Sequence, residues 1–82
     1  MPQIDDVELW RRAARAGDAQ AFAELFDRHA GSVYRFCFRS TADWALAEDL
    51  TSTVFLEAWR KRQRVEVGER GVLPWLLGVA VN

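Results

Sequence analysis

The sequence predicts an all-α fold, a compact bundle of about four helices, and three observations carry that expectation. Apolar residues recur at three- and four-residue intervals over long stretches, and nowhere do they alternate with polar ones as a half-buried strand requires. Only two Pro and five Gly interrupt the 82 residues. Half of the residues are hydrophobic, including four Trp and five Phe, which is material for the efficiently packed core that a single domain of this length needs.

Asp5 or Asp6 is placed to cap a first short helix, where a carboxylate accepts the free amide hydrogens of the first turn and suits the helix dipole. Val7, Trp10 and Ala14 then share one side, Arg11, Arg12 and Arg15 turn toward water, and Gly17 supplies a left-handed stop. Asp18 caps the next helix, expected from about Ala19 to Arg39. Its stripe of Phe22, Leu25, Phe26, His29, Val33, Phe36 and Cys37 makes it the central core helix. Tyr34 and Phe38 lie off that stripe and need a second neighbour, the first or fourth helix, or stay partly exposed. His29 and Cys37, each the only one of its kind, fall on the stripe with no metal-ligand spacing around them, which suits core or boundary residues.

Ser40 to Asp43 breaks the pattern, and Asp43 caps a third helix that begins near Trp44 and runs to about Gln63, with Leu46, Leu50 and Val54 at helical spacing. At about 100° per residue, Leu50, Val54, Phe55, Ala58 and Trp59 form one broad apolar face, and Asp49, Ser52, Thr53, Leu56 and Arg60 lie on the other. An outward leucine among an acid, two hydroxyls and an arginine fits a helix with both a core to cover and a partner to meet, although scattered surface leucines are also normal. The Thr51-Ser52-Thr53 run is weak helix-forming sequence in a strong helix. It either marks a functional surface or reflects hydroxyls bonding back to helix carbonyls.

Arg64 to Val72 has two glycines and no helical stripe, so it is expected to be a loop of about nine residues, longer than the usual two to eight between helices. Pro74 suits the first turn of a fourth helix whose residues Trp75, Leu76, Leu77, Val79, Ala80 and Val81 are apolar nearly all round and call for burial on several sides. A helix of that kind stopping at Asn82 suggests a piece of a longer protein.

Charge and chemistry narrow the function. With 11 basic and 12 acidic side chains, the chain is not one that grips duplex DNA by charge alone. The charges are mildly segregated: residues 1–56 hold six basic and nine acidic side chains, residues 57–82 five and three, with Arg60, Lys61, Arg62 and Arg64 close together. One cysteine suits a reducing compartment, and neither a signal peptide nor an apolar run of membrane-spanning length is present, so a soluble cytoplasmic chain is expected. No phosphate loop, metal-ligand cluster or nucleophile with a base at recognisable spacing occurs; catalysis, a metal and a cofactor are not expected. A basic run, a glycine-containing loop and Trp75 at the head of the next helix together suit single-stranded nucleic acid, whose backbone follows charge and whose unstacked bases seek aromatic groups. The competing possibility is a protein-binding helical adaptor whose basic run is a solvated helix end.

The order Ala-Glu-Asp-Leu-Thr-Ser-Thr-Val-Phe-Leu-Glu-Ala-Trp-Arg at 47–60, then Trp75-Leu76-Leu77-Gly78-Val79-Ala80-Val81-Asn82, resembles region 2 of the extracytoplasmic-function (ECF) sigma factors of bacterial RNA polymerase. Ala21-Phe22-Ala23-Glu24-Leu25-Phe26 with Val33-Tyr34-Arg35 looks like the start of the same domain, so that the likeness covers residues 7–82. The resemblance implies a helical bundle that docks on the β′ clamp helices of the RNA polymerase core through Asp49, Ser52, Thr53, Leu56 and Arg60, although the family commonly has Gln and an acid where this chain has Ser52 and Thr53. It also implies that the loop Val65 to Leu73, with Arg70, and Trp75 and Asn82 recognise and help melt the promoter minus-ten element on the non-template strand, while Arg60, Lys61, Arg62 and Arg64 steer phosphates. Family members often have an anti-sigma factor as a further partner. They continue into a second helical domain that reads the minus-thirty-five element, absent from residues 1–82. On this basis residues 1–82 are expected to form one region 2 domain.

Overall fold

A computed structural model describes residues 3–68 and 70–81, and within them the chain forms four α-helices: α1 (Asp6–Ala16), α2 (Ala19–Thr41), α3 (Trp44–Lys61) and α4 (Val72–Val81). Each of the first three starts on an aspartate whose carboxylate takes up amide hydrogens of the first turn. Asp5 accepts from the Glu8 N–H at 2.9 Å, Asp18 from Gln20 and Ala21 at 3.0 and 3.1 Å, and Asp43 from Leu46 at 3.0 Å. Gly17 closes α1 in the left-handed conformation at φ 63°, where a Cβ would be strained. The corresponding position after α2 is Ala42, also left-handed at φ 54°, with its N–H donating to the Phe38 carbonyl at 2.7 Å.

α2 is the spine. Ala21, Leu25, His29, Val33 and Cys37 follow one another at i, i+4, and all but His29 are buried. His29 remains at the boundary, its Nε2 2.5 Å from an Asp6 carboxylate oxygen. The other Asp6 oxygen accepts from Arg28 at 3.0 Å, and this hydrogen bond, ahead of a second one to Glu24, raises the Arg28 pKa above its already high value. Asp6 thus ties the first turn of α1 to the middle of α2. Phe26, expected within the core stripe, is 41% exposed, though its ring still meets Phe55 edge-on at 4.8 Å between centroids.

Two packing expectations are corrected. The buried face of α1 is Leu9, Trp10 and Ala13 rather than Val7, Trp10 and Ala14; Val7 is exposed. The physical reason is that α1 meets two neighbours, so its face turns toward Leu9, beside Ala21 of α2, and Trp10, whose ring lies 5.2 Å from Trp75 of α4. Tyr34 and Phe38 stay partly exposed, as the alternative allowed, and their neighbour is not the first or fourth helix but Trp44 at the start of α3. The Phe38 and Trp44 rings stack at 4.0 Å, and Tyr34 lies nearly parallel to Trp44 at 6.0 Å. Burial, and then the nearby Glu48 charge, raise the Tyr34 pKa.

α3 ends at Lys61, two residues earlier than expected, with Arg62 as its cap. Ala47, Thr51, Val54, Phe55 and Ala58 are its buried residues, and the Thr51 hydroxyl is satisfied by the Ala47 carbonyl at 2.8 Å. Phe22 from α2 meets Trp59 at 5.1 Å and Phe55 at 6.3 Å, both edge-on. α4 starts at Val72, so Pro74 is its third residue, where a missing N–H has no intrahelical partner to lose. Only Val72 and Leu76 of α4 are fully buried; Leu73, Trp75, Leu77, Val79 and Ala80 are half-buried, and Val81 is exposed.

Candidate docking and nucleic-acid interface

Every residue expected on the outer face of α3 is exposed: Asp49, Ser52, Thr53, Leu56 and Arg60. They are linked at i, i+3 and i, i+4 (Asp49 to Thr53, Ser52 to Leu56, Leu56 to Arg60) and so form one continuous stripe of roughly three turns, about 16 Å long. Leu56 is 53% exposed at its centre. The Thr53 hydroxyl donates to the Asp49 carbonyl at 3.0 Å, which leaves its oxygen outward as an acceptor. The stripe begins at the Asp49 carboxylate and ends at the Arg60 guanidinium, so its charge changes sign along its length. Leu46, expected with the core-facing positions, is 44% exposed and extends the stripe by one turn. Its spacing to Asp49, Thr53, Leu56 and Arg60, alternately three and four residues, was the signal available in the sequence.

The basic cluster divides into unequal members. Arg60 and Lys61 are exposed and share Glu57, whose carboxylate lies 3.3 and 3.7 Å from their nitrogens. Arg64 and Arg70 are exposed and have no ion-pair partner among the described residues. Arg62 turns inward instead. Its Nε donates to the Ala13 carbonyl of α1 at 3.2 Å, its Nη1 to the Trp59 carbonyl at 2.8 Å, and its guanidinium lies 3.7 Å over the Trp59 ring. A guanidinium held between a carbonyl pair and an indole face is a structural clasp at the end of α3, unlike its neighbours in the run.

The α3–α4 connection is better anchored than a glycine-containing loop suggests. Val65 and Val67 pack on the core, with the intervening Glu66 exposed, and the Trp10 indole N–H donates to the Val65 carbonyl at 3.1 Å. Gly71, at φ 88°, closes a turn on the Gly68 carbonyl at 3.0 Å before α4 begins. Trp75 is half-buried against Trp10, and lines, with Lys61, Val65, Pro74, Gly78 and Val79, a shallow pocket of about 510 Å³. The structure therefore brings Lys61 and Trp75 to one concavity. Asn82 lies outside the described residues. Sequence reasoning missed Trp10 and Arg62 as the groups that hold this region together.

Among the described residues no group of three or more His, Cys, Asp or Glu is placed to hold a metal ion, and no helix is long and apolar enough to cross a membrane.

Fold and surface together define a four-helix bundle with an exposed stripe along α3 and a cationic end. Comparison with known proteins places it further. The family profile for Sigma-70 region 2 matches residues 25–82. The chain is 46% identical over 68 residues to the RNA polymerase sigma factor CarQ of Myxococcus xanthus, covering 83% of this chain and 38% of that protein. It is 40% identical over 76 residues to the ECF RNA polymerase sigma factor BldN of Streptomyces coelicolor, covering 93% and 28%. It is 31% identical over 75 residues to the ECF RNA polymerase sigma factor SigK of Mycobacterium tuberculosis, covering 92% and 40%. No solved structure matches significantly. The chain belongs to the sigma-70 region 2 family, within the ECF sigma factors, and spans two fifths or less of the length of these curated relatives.

Proposed function

We propose that residues 1–82 form one region 2 domain, which docks on bacterial RNA polymerase core in the cytoplasm and recognises the promoter minus-ten element. The outer stripe of α3 is the docking surface, with Asp49, Leu56 and Arg60 its principal contacts to the β′ clamp helices and Ser52 and Thr53 lesser ones. Arg60, Lys61, Arg64 and Arg70 follow the phosphates of the non-template strand. The concavity lined by Lys61 and Trp75 receives an unstacked base. The observation that supports this reading most strongly is that one short segment, α3 with its following loop, carries both an exposed stripe with a leucine at its centre and an exposed cationic end. The role is binding and placement of DNA, not catalysis.

The test uses the chain bound to RNA polymerase core and a fluorescein-labelled pool of single DNA strands with a randomised core. Changing Arg60, Lys61, Arg64 and Arg70 together to Gln lowers the slope of log affinity against log salt by up to about 0.7 for each phosphate no longer neutralised, close to three units in all. Affinity for the polymerase falls only through Arg60. Unaltered DNA affinity and slope in the quadruple variant would favour a purely protein-binding adaptor.

A further inference from the structure

We infer that α1 is a splint for the α3–α4 loop, and that Trp10 is a positioning residue for the recognition of single-stranded DNA by that loop. The inference rests on the DNA-binding role proposed above and adds to it an element that lies outside the segment matched by the family profile, since α1 ends at Ala16 and the match begins at residue 25.

Two hydrogen bonds run between α1 and the connection in opposite senses. Trp10 donates its indole N–H to the Val65 carbonyl at 3.1 Å, and Arg62 donates to the Ala13 carbonyl at 3.2 Å. Trp10 and Ala13 are three residues apart, on the same face of α1, and Arg62 and Val65 are three residues apart along the connection. The pair therefore fixes a segment at two points, as one bond alone could not. Trp10 is 4% exposed and Val65 half-buried, so their hydrogen bond is partly shielded from water, and losing it carries part of the cost of an unpaired polar group. The same indole packs on Trp75 at 5.2 Å, which fixes that ring at the edge of the concavity. Val65 is thus pinned, the Gly71 N–H closes on the Gly68 carbonyl at 3.0 Å, and Arg64 and Arg70 are both exposed. A loop already in its binding conformation loses less entropy on taking up a flexible strand, and affinity rises accordingly.

Two variants separate this role from ordinary packing. Trp10→Phe keeps an aromatic ring but removes the indole donor together with part of the ring's volume, so its thermal midpoint is measured alongside to account for lost packing. Arg62→Lys keeps the positive charge but cannot reach two carbonyls as a guanidinium does. The first measurement needs no DNA: the rate of trypsin cleavage after Arg64 and Arg70 in the native protein, which follows the population of the locally opened loop. Loss of one such hydrogen bond is expected to raise that rate about three- to tenfold. The second measurement is affinity for the randomised single-strand pool in complex with RNA polymerase core, expected to fall by a similar factor while affinity for the polymerase itself is unchanged.

Unchanged cleavage in both variants would overturn the splint. So would a loss of polymerase and DNA binding in the same proportion, which is what general destabilisation produces. Should the loop loosen without any change in DNA affinity, Trp10 has no positioning role. The Gln variant of the four exposed cations tests the DNA-binding reading separately, because it leaves both hydrogen bonds of the splint in place.

Discussion

Leu56 offers the most direct test of the docking surface proposed on α3. The side chain is 53% exposed, at the centre of the stripe that runs from Asp49 to Arg60. Full burial of a leucine is worth about 1.5–3 kcal/mol, so covering the exposed half in a complex contributes about 1 kcal/mol, or roughly fivefold in Kd. Leu56→Ala is expected to weaken binding to RNA polymerase core by that factor. Leu46, 44% exposed at the other end of the extended stripe, should contribute nearly as much. The two leucines are ten residues apart, about 15 Å along the helix, so the losses should add, to about 2 kcal/mol or thirtyfold in the double variant. Folding is affected far less, because Ala is the better helix former and exposed substitutions usually stay within about 0.5 kcal/mol. Binding is measured by interferometry on immobilised polymerase core, with thermal midpoints alongside and Val7→Ala, an exposed position on α1, as the control. Affinities of the double variant within twofold of the original chain would refute the assignment of this face.

Other expectations follow from single features of the fold. Ala42→Gly relieves a left-handed alanine, whose conformation costs about 1–2 kcal/mol, against about 0.4–1 kcal/mol of added unfolded-chain entropy, so the thermal midpoint should rise by a few degrees. Gly17→Ala should lower it, since no atom crowds that position and the strain is conformational alone. Tyr34 is the only tyrosine, so its ionisation can be followed by absorbance without interference; its midpoint in the folded chain should lie above the ordinary value near 10, and Glu48→Gln should bring it part of the way back. Because the fold favours the protonated phenol, this contribution to stability is complete below the unfolded value and is lost as pH rises through the folded one. Leu76→Ala, at a side chain 1% exposed, should cost about 2–5 kcal/mol in denaturant unfolding.

What could be read from the sequence was what local chemistry decides. Asp5, Asp18 and Asp43 each cap the helix that follows, because a short carboxylate next to free amides needs nothing from elsewhere in the chain. The two faces of α3 were legible for a related reason: inward Val54, Phe55 and Ala58 and outward Asp49, Ser52 and Leu56 differ in type as well as position. Groups whose role depends on a distant partner were not legible. Trp10 meets Val65 across 55 positions and Arg62 meets Ala13 across 49, and neither tryptophan nor arginine announces such a bond. Arg62 looks like its neighbours in a basic run and differs only because the end of α3 turns it inward. Ala42 carried no signal, since alanine is the residue least expected to close a helix in the left-handed conformation. Leu46 misled because its spacing to Leu50 and Val54 competes with an equally good spacing to the outward Asp49 and Thr53, and the buried residue of that turn is its neighbour Ala47.

Since α3 carries core residues on one side and its exposed stripe on the other, its orientation is a shared variable. A rotation of about 10° about its own axis, with outer side chains about 5 Å from that axis, moves Leu56 and Asp49 sideways by nearly 1 Å. Val54, Phe55 and Ala58 set that angle by their volumes. A volume change at Phe55 that preserves stability could therefore alter how well the chain fits a partner without any substitution on the surface the partner meets. The interior of this domain acts as a tuning adjustment for its exterior, and natural variation in fit could accumulate at positions the partner never touches.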